Sequence, residues 1–197
     1  MPLETFVALV SFAFVMSFTP GPNNIMLTAS GANFGLARST PHMAGVVVGY
    51  ALLLCAAGGG LGALIVAFPA VQIALKVIGA AYLLWLAWKV ANAGTASEGD
   101  GAARPLTFLQ AAAFQWVNPK GVIIALGAAA LYLHPERAVR DFAVMFAVFS
   151  VATLLSALTW TGFGVALRKV LRSDRQARIF NVVMALLLVA SIVPMVL

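Results

Sequence analysis

From Thr5 to Ala37 the chain carries no charged side chain, and from Pro105 to Pro135 it carries one, Lys120, at the midpoint of that run. This most constrains the fold. A straight helix over the 33 residues of the first run would be about 50 Å long, against a bilayer hydrocarbon core of about 30 Å. Each run is interrupted near its centre, the first by Thr19-Pro20-Gly21-Pro22-Asn23-Asn24 and the second by Gln115-Trp116-Val117-Asn118-Pro119-Lys120. Breaking a helix in lipid exposes backbone groups that cost several kcal/mol each when unsatisfied, so such breaks belong where protein or a water-filled cavity covers them. One break in each half of a chain marks a transporter's binding site.

Composition agrees with lipid as the solvent. Hydrophobic residues make up 62% of the 197 and charged residues 9%, where a soluble domain carries about 25% charge. The net charge of +6 could suggest nucleic acid, but the basic residues fall between apolar runs. They are expected to face the cytoplasm and anionic lipid heads, and no nucleic-acid partner is expected. Cys55 is the only cysteine; it excludes an internal disulfide and reads as a small buried hydrophobe. The start, Met-Pro-Leu-Glu, lacks the basic segment of a signal peptide, so the first helix is expected to be retained. No Walker or dinucleotide fingerprint is present, and no cofactor is expected. Neither His42 nor His134 has a carboxylate or thiol at metal-ligand spacing, so no metal is expected either.

The fold class expected is an all-α membrane protein, one transmembrane domain over residues 1–197, with six helices as two inverted three-helix repeats and the first and fourth helices broken. The second helix is placed at about Pro41 to Phe68, with a turn at Pro69, and the third at about Ala70 to Ala91. The fourth runs from about Leu106 to Leu133, the fifth from Phe142 to Leu167 and the sixth from Ile179 to Leu197. The polar segment 92–104, with Glu98 and Asp100, separates halves at about 1–91 and 105–197. An odd number of spans per half makes the halves antiparallel. Loops after the first, third and fifth helices hold Arg38, Lys89, Arg104, Arg168, Lys169, Arg172, Arg175 and Arg178; the other side holds Arg137 and Arg140, with Lys76 at its edge. That asymmetry predicts both termini outside.

The breaks supply the candidate substrate-binding residues: Pro20, Gly21, Pro22, Asn23 and Asn24, with Gln115, Asn118, Pro119 and Lys120. The prolines remove donors and Gly21 permits a sharp path. Asn23 and Asn24 are expected to cap the resuming helix and donate to a ligand, and its free N–H groups suit a carboxylate. An ammonium at mid-membrane costs at least about 2.5–3.5 kcal/mol, so Lys120 is expected to face protein or water and either pair a carboxylate or exchange a proton; snorkelling at a helix edge is its bland alternative. Tyr82, in an aromatic stripe with Trp85 and Trp88, and Ser150 and Thr153, in a hydroxyl stripe with Ser156 and Thr159, read either as packing or as the lining of a pathway. Gly45 with Gly49 and Gly58 with Gly62 read as close helix packing.

At these residues the chain resembles the LysE/RhtB family of bacterial amino-acid exporters, over nearly its whole length. Thr19-Pro20-Gly21-Pro22-Asn23-Asn24 matches the family's most specific signature, and residues 79–87 and 115–120 match its pattern. Residues 19–25 with 85–89 are similar to the cysteine/O-acetylserine exporter branch; homoserine, homoserine-lactone and threonine exporters are related. The resemblance implies export of small neutral amino acids or derivatives, driven by proton antiport, from a bacterial inner (plasma) membrane, with a homodimer as the assembly. It does not bring an assigned pocket. Three rivals remain: an ion or metal-cation exporter, which would want acids, thiols or histidines at the breaks; an intramembrane hydrolase, for which Ser30 and His42 are the serine and histidine within reach; and a non-transporting membrane scaffold, which predicts no flux.

Overall fold

The computed structural model describes residues 1–93, 104–171 and 173–196. The centre of the expected linker, 94–103 with Glu98 and Asp100, and Arg172 of the last basic loop lie outside the described residues. Among those described, the secondary structure is helical throughout: α1 Leu3–Phe18, α2 Pro22–Gly58, α3 Leu61–Ala67, α4 Pro69–Ala91, α5 Phe108–Val117, α6 Pro119–Tyr132, α7 Ala138–Arg168, α8 Asp174–Ala190 and a final turn α9 Val193–Val196. Proline opens α2, α4 and α6 at the first turn, where a missing N–H orphans nothing. Thr107 with Gln110 and Ser173 with Gln176 form capping boxes at the starts of α5 and α8, each satisfying two otherwise free donors.

Three helices are long and apolar enough to cross a membrane, Pro22–Gly58, Pro69–Ala91 and Pro135–Val170, while Leu3–Phe18 and Pro119–Tyr132 are shorter apolar helices. The two short ones are cut by the two breaks the sequence displays. The outer surface is apolar in keeping: Leu109 is 75% exposed, Ile123 70% and Leu131 64%.

Three boundaries differ from expectation. The resumed half of the first helix and the second helix form the two arms of α2, which meet at a kink at the non-helical Gly35, where φ is 77°. Glycine takes that left-handed backbone without a Cβ clash. The second arm of α2 therefore starts before Pro41, which lies inside the helix. That arm ends at Gly58, and Gly60, at φ 98°, leads into the short α3. The last helix starts at Asp174, before the expected Ile179, because Ser173 caps it there.

Packing is by close backbone approach. A Cβ on Gly31 would lie 2.1 Å from the Thr161 carbonyl oxygen and one on Gly164 2.0 Å from that of Thr28, so the first arm of α2 meets α7 backbone to backbone. Gly45 and Gly49 do the same for the second arm against α5, where a Cβ would lie 2.3 Å from the Phe108 carbonyl oxygen and 2.6 Å from Ala112 Cα. The small-residue reading of that pair holds. Two buried clusters result, one around Leu27, Met43, Leu83, Leu86 and Phe114, the other around Leu9, Leu53, Ala125, Met145 and Phe149. One end of the bundle gathers the Gly35 bend, the end of α4 and the starts of α5 and α8: Asn33 donates to Asn181 Oδ1 at 2.8 Å, and Asn181 donates to the Ala93 carbonyl at 3.0 Å. This end carries the basic residues. Arg137 and Arg140 are at the other, where Asp141 is wholly buried with His134 Nδ1 3.0 Å away.

Candidate functional site

The two breaks face one another between the two clusters. Pro20 and Pro22 cannot donate to the Met16 and Phe18 carbonyls, so α1 ends at the break with acceptors to satisfy. Asn24 answers this need: its Nδ2 donates to the carbonyls of Ser17 at 2.9 Å and Thr19 at 3.0 Å. Ser156, from α7, donates to the Ser17 carbonyl at 2.7 Å. Lys120 Nζ donates to the Thr19 carbonyl and lies 3.5 Å from that of Pro20. The cation at the start of α6 is thus seated on the negative end of α1.

Asn23 joins the breaks directly. Its Nδ2 donates to Gln115 Oε1 at 2.7 Å, and Gln115 Nε2 donates back to Asn23 Oδ1 at 3.1 Å and to the Ala111 carbonyl at 2.9 Å. The capping role expected of Asn23 and Asn24 is therefore not what they do. Neither α2 nor α6 has a side-chain cap; both amides instead stabilise the break itself, because uncovered carbonyls in an apolar interior are the larger cost. In each of these two helices the first intrahelical N–H bond is the ordinary one to the N-cap carbonyl, from Ile25 to Gly21 and from Val122 to Asn118. The N–H groups of Asn23 and Asn24, and of Lys120 and Gly121, remain for other acceptors.

All four of these residues line one cavity of about 60 Å³, room for a few waters. Gly21, Pro22, Asn118, Thr153 and Ser156 share its wall, with Leu27, Val46 and Ile124 as the apolar part. Gly21 admits the lysine: a Cβ there would stand 2.8 Å from Lys120 Cδ. Two buried polar atoms of the lining have no hydrogen-bond partner, Asn118 Oδ1 and Tyr50 Oη. Tyr50 carried no signal in the sequence, where one tyrosine in an apolar helix reads as packing; only its position beside the breaks sets it apart. The lining therefore offers an ammonium, four backbone donors, a phenolic donor and an amide acceptor, which matches a zwitterion with a small polar side chain.

The remaining expectations divide. Pro20, Gln115 and Pro119 shape the breaks from outside the cavity lining. Tyr82 stacks on Phe114 at 5.4 Å and its hydroxyl donates to the Gln110 carbonyl at 3.1 Å, so it ties α4 to α5. Of the hydroxyl stripe, Thr153 and Ser156 reach the cavity, Ser150 is outside its lining, and Thr159 is exposed. A three-residue spacing drifts about 60° per step on a 3.6-residue helix, so four such residues cannot share one face. The hydrolase pair is not formed: Ser30 Oγ lies 2.7 Å from Ser39 Oγ, and both His42 nitrogens are without a hydrogen-bond partner. Cys55 is exposed rather than buried, turned outward on an apolar helix.

A family model described as LysE type translocator matches residues 14–192. The cysteine/O-acetylserine efflux proteins of Escherichia coli strain K12 and of Shigella flexneri are each 31% identical to the chain over 183 residues, covering 92% of both sequences. That of Escherichia coli O1:K1 is 30% identical with the same coverage. No solved structure matches.

Proposed function

The chain belongs to the LysE type translocators, transporters embedded in the membrane rather than enzymes, and from that membership we propose that it exports small neutral amino acids or their derivatives from the cytoplasm. Cysteine and O-acetylserine are the first substrates to test, after the relatives named for their efflux; homoserine, homoserine lactone and threonine follow. The observation that carries the reading is the convergence of two uncapped helix starts, those of α2 and α6, on one cavity holding Lys120. Each start presents roughly half a positive charge, and with the lysine they favour a carboxylate. The substrate ammonium then falls to Asn118 Oδ1, and its polar side chain to Tyr50 and Thr153. The lining holds no acid, which favours neutral over cationic amino acids and supplies no ligand set for a metal cation.

In this reading α1 with the first arm of α2, the second arm with α3, and α4 form three spans of one half. The other half is α5 with α6, then α7, then α8. The equivalence of the two breaks supports an inverted repeat: each resumes with proline at the first turn after an extended residue, Gly21 or Asn118. The basic end faces the cytoplasm of a bacterial inner membrane, and both termini face outside. Transport is by proton antiport, with Lys120 the titratable group of the site: its ammonium is held by the α1 carbonyls, and giving up its proton weakens that hold. A homodimer completes the proposal, for chemical cross-linking in native membranes to test. The functional test is efflux of labelled cysteine, O-acetylserine, homoserine and threonine from preloaded cells, with and without an uncoupler. Export of one or more labels, abolished by the uncoupler, is expected; wild-type protein that moves none of them would overturn the reading.

A further inference from the structure

A second cavity, about 320 Å³, lies at the basic end of the bundle. It belongs to neither break. His42, Asn33, Lys89 and Arg104 bring polar groups to its wall, and among the described residues no aspartate or glutamate lines it. His42 is 1% exposed, and neither of its ring nitrogens has a hydrogen-bond partner among the described residues. Leaving a buried donor and acceptor unmet costs about 1–3 kcal/mol each, so a histidine kept in this state points to occupants that meet both. Lys89 lies over the Trp85 ring, 5.0 Å from its centroid, which holds the cation in place without pairing it to an acid. The Asn33 amide is fixed by its bond to Asn181.

The two cavities share the first arm of α2. Leu27 is in the wall of the break cavity, and Met26 and Ser30 are in the wall of this one. Asn23 and Asn33, one in each wall, are about 15 Å apart along the helix at 1.5 Å per residue.

We propose that the cavity around His42, Lys89 and Arg104 is a second substrate site, which binds the amino-acid zwitterion from the basic face before it moves to the breaks. This rests on the export reading above. A neutral imidazole has one donor and one acceptor, pointing to opposite sides of the ring, so His42 donates to the carboxylate through its N–H while a water meets the other nitrogen. Lys89 and Arg104 add charge attraction for the carboxylate.

Equilibrium binding of labelled O-acetylserine to the purified full chain in lipid nanodiscs tests this. Wild type is expected to bind about two equivalents per chain. The Lys89→Gln/Arg104→Gln double variant and, separately, His42→Phe should each bind one, and Lys120→Met should bind a different one, so that Lys120→Met combined with Lys89→Gln/Arg104→Gln binds none. The double variant sits at the open end of the cavity and keeps the test usable if His42→Phe fails to fold. One equivalent in wild type, lost in Lys120→Met and kept in the cavity variants, would overturn the second site and leave the export reading standing. No binding by any form, alongside no efflux by wild type of any label, would remove the export reading and this site with it.

Discussion

The hydroxyl of Tyr50 and the amide oxygen of Asn118 stand in the same cavity wall without partners, whereas Asn24 and Gln115 are fully engaged. Substitutions should separate accordingly. Tyr50→Phe removes only an unpaired hydroxyl, so thermal stability in detergent should hold or rise slightly while efflux falls about 2- to 10-fold, the worth of one neutral hydrogen bond. Asn24→Ala strips a donor shared by two part-buried carbonyl bonds at the break and should lower stability by about 1–3 kcal/mol, read as a drop in melting temperature before any effect on substrate choice is considered. A Tyr50→Phe protein that exports at the wild-type rate would remove the tyrosine from the site. At this scale the sequence displayed the amides and Lys120, because polar groups in a charge-free run are conspicuous. It did not display which of them are occupied: whether Asn24 reaches a ligand or an α1 carbonyl depends on a backbone path that spacing does not encode.

Among the helices, glycine decides where elements touch. Gly162 and Gly164 are neighbours on α7, yet a Cβ on Gly164 would sit 2.0 Å from a backbone oxygen of α2, while one on Gly162 meets nothing within 4 Å. Gly164→Ala should therefore push α7 off α2 and cost at least about 1–3 kcal/mol. Gly162→Ala should be neutral or gain up to about 1 kcal/mol from helix propensity. Melting temperatures of the two variants in one detergent check this, and equal values would contradict the backbone-contact packing of α2 on α7. Both breaks were legible because proline and amides interrupt an apolar run in the same way twice. The bend at Gly35 was not, because one glycine inside a helical pattern looks like any other in a glycine-rich chain; the proline at position 41 drew the boundary instead, although it lies inside the second arm. The short α3 was likewise hidden, since Gly58, Gly59 and Gly60 do not say which of them takes positive φ.

Over the whole molecule, the two ends differ in charge and the site lies between them. The basic residues of the Gly35 bend, the end of α4 and the starts of α5 and α8 should face the cytoplasm. A periplasm-active reporter fused after Leu197 should therefore be active and a cytoplasm-active one silent; the reverse result would invert the proposed orientation. The central claim is that the two breaks hold the substrate carboxylate through Lys120 and the starts of α2 and α6. It is tested most directly by efflux of labelled O-acetylserine from preloaded cells carrying wild type, Lys120→Met or Asn118→Ala at matched membrane levels. Loss of a hydrogen bond to a charged group is worth about 1.5–3 kcal/mol, or roughly 10- to 100-fold. A fall of that size in both variants, with the melting temperature unchanged in Asn118→Ala and lowered in Lys120→Met by loss of its bond to the Thr19 carbonyl, is the predicted result. Wild-type efflux from both would contradict it and leave the breaks as structure without a role in binding.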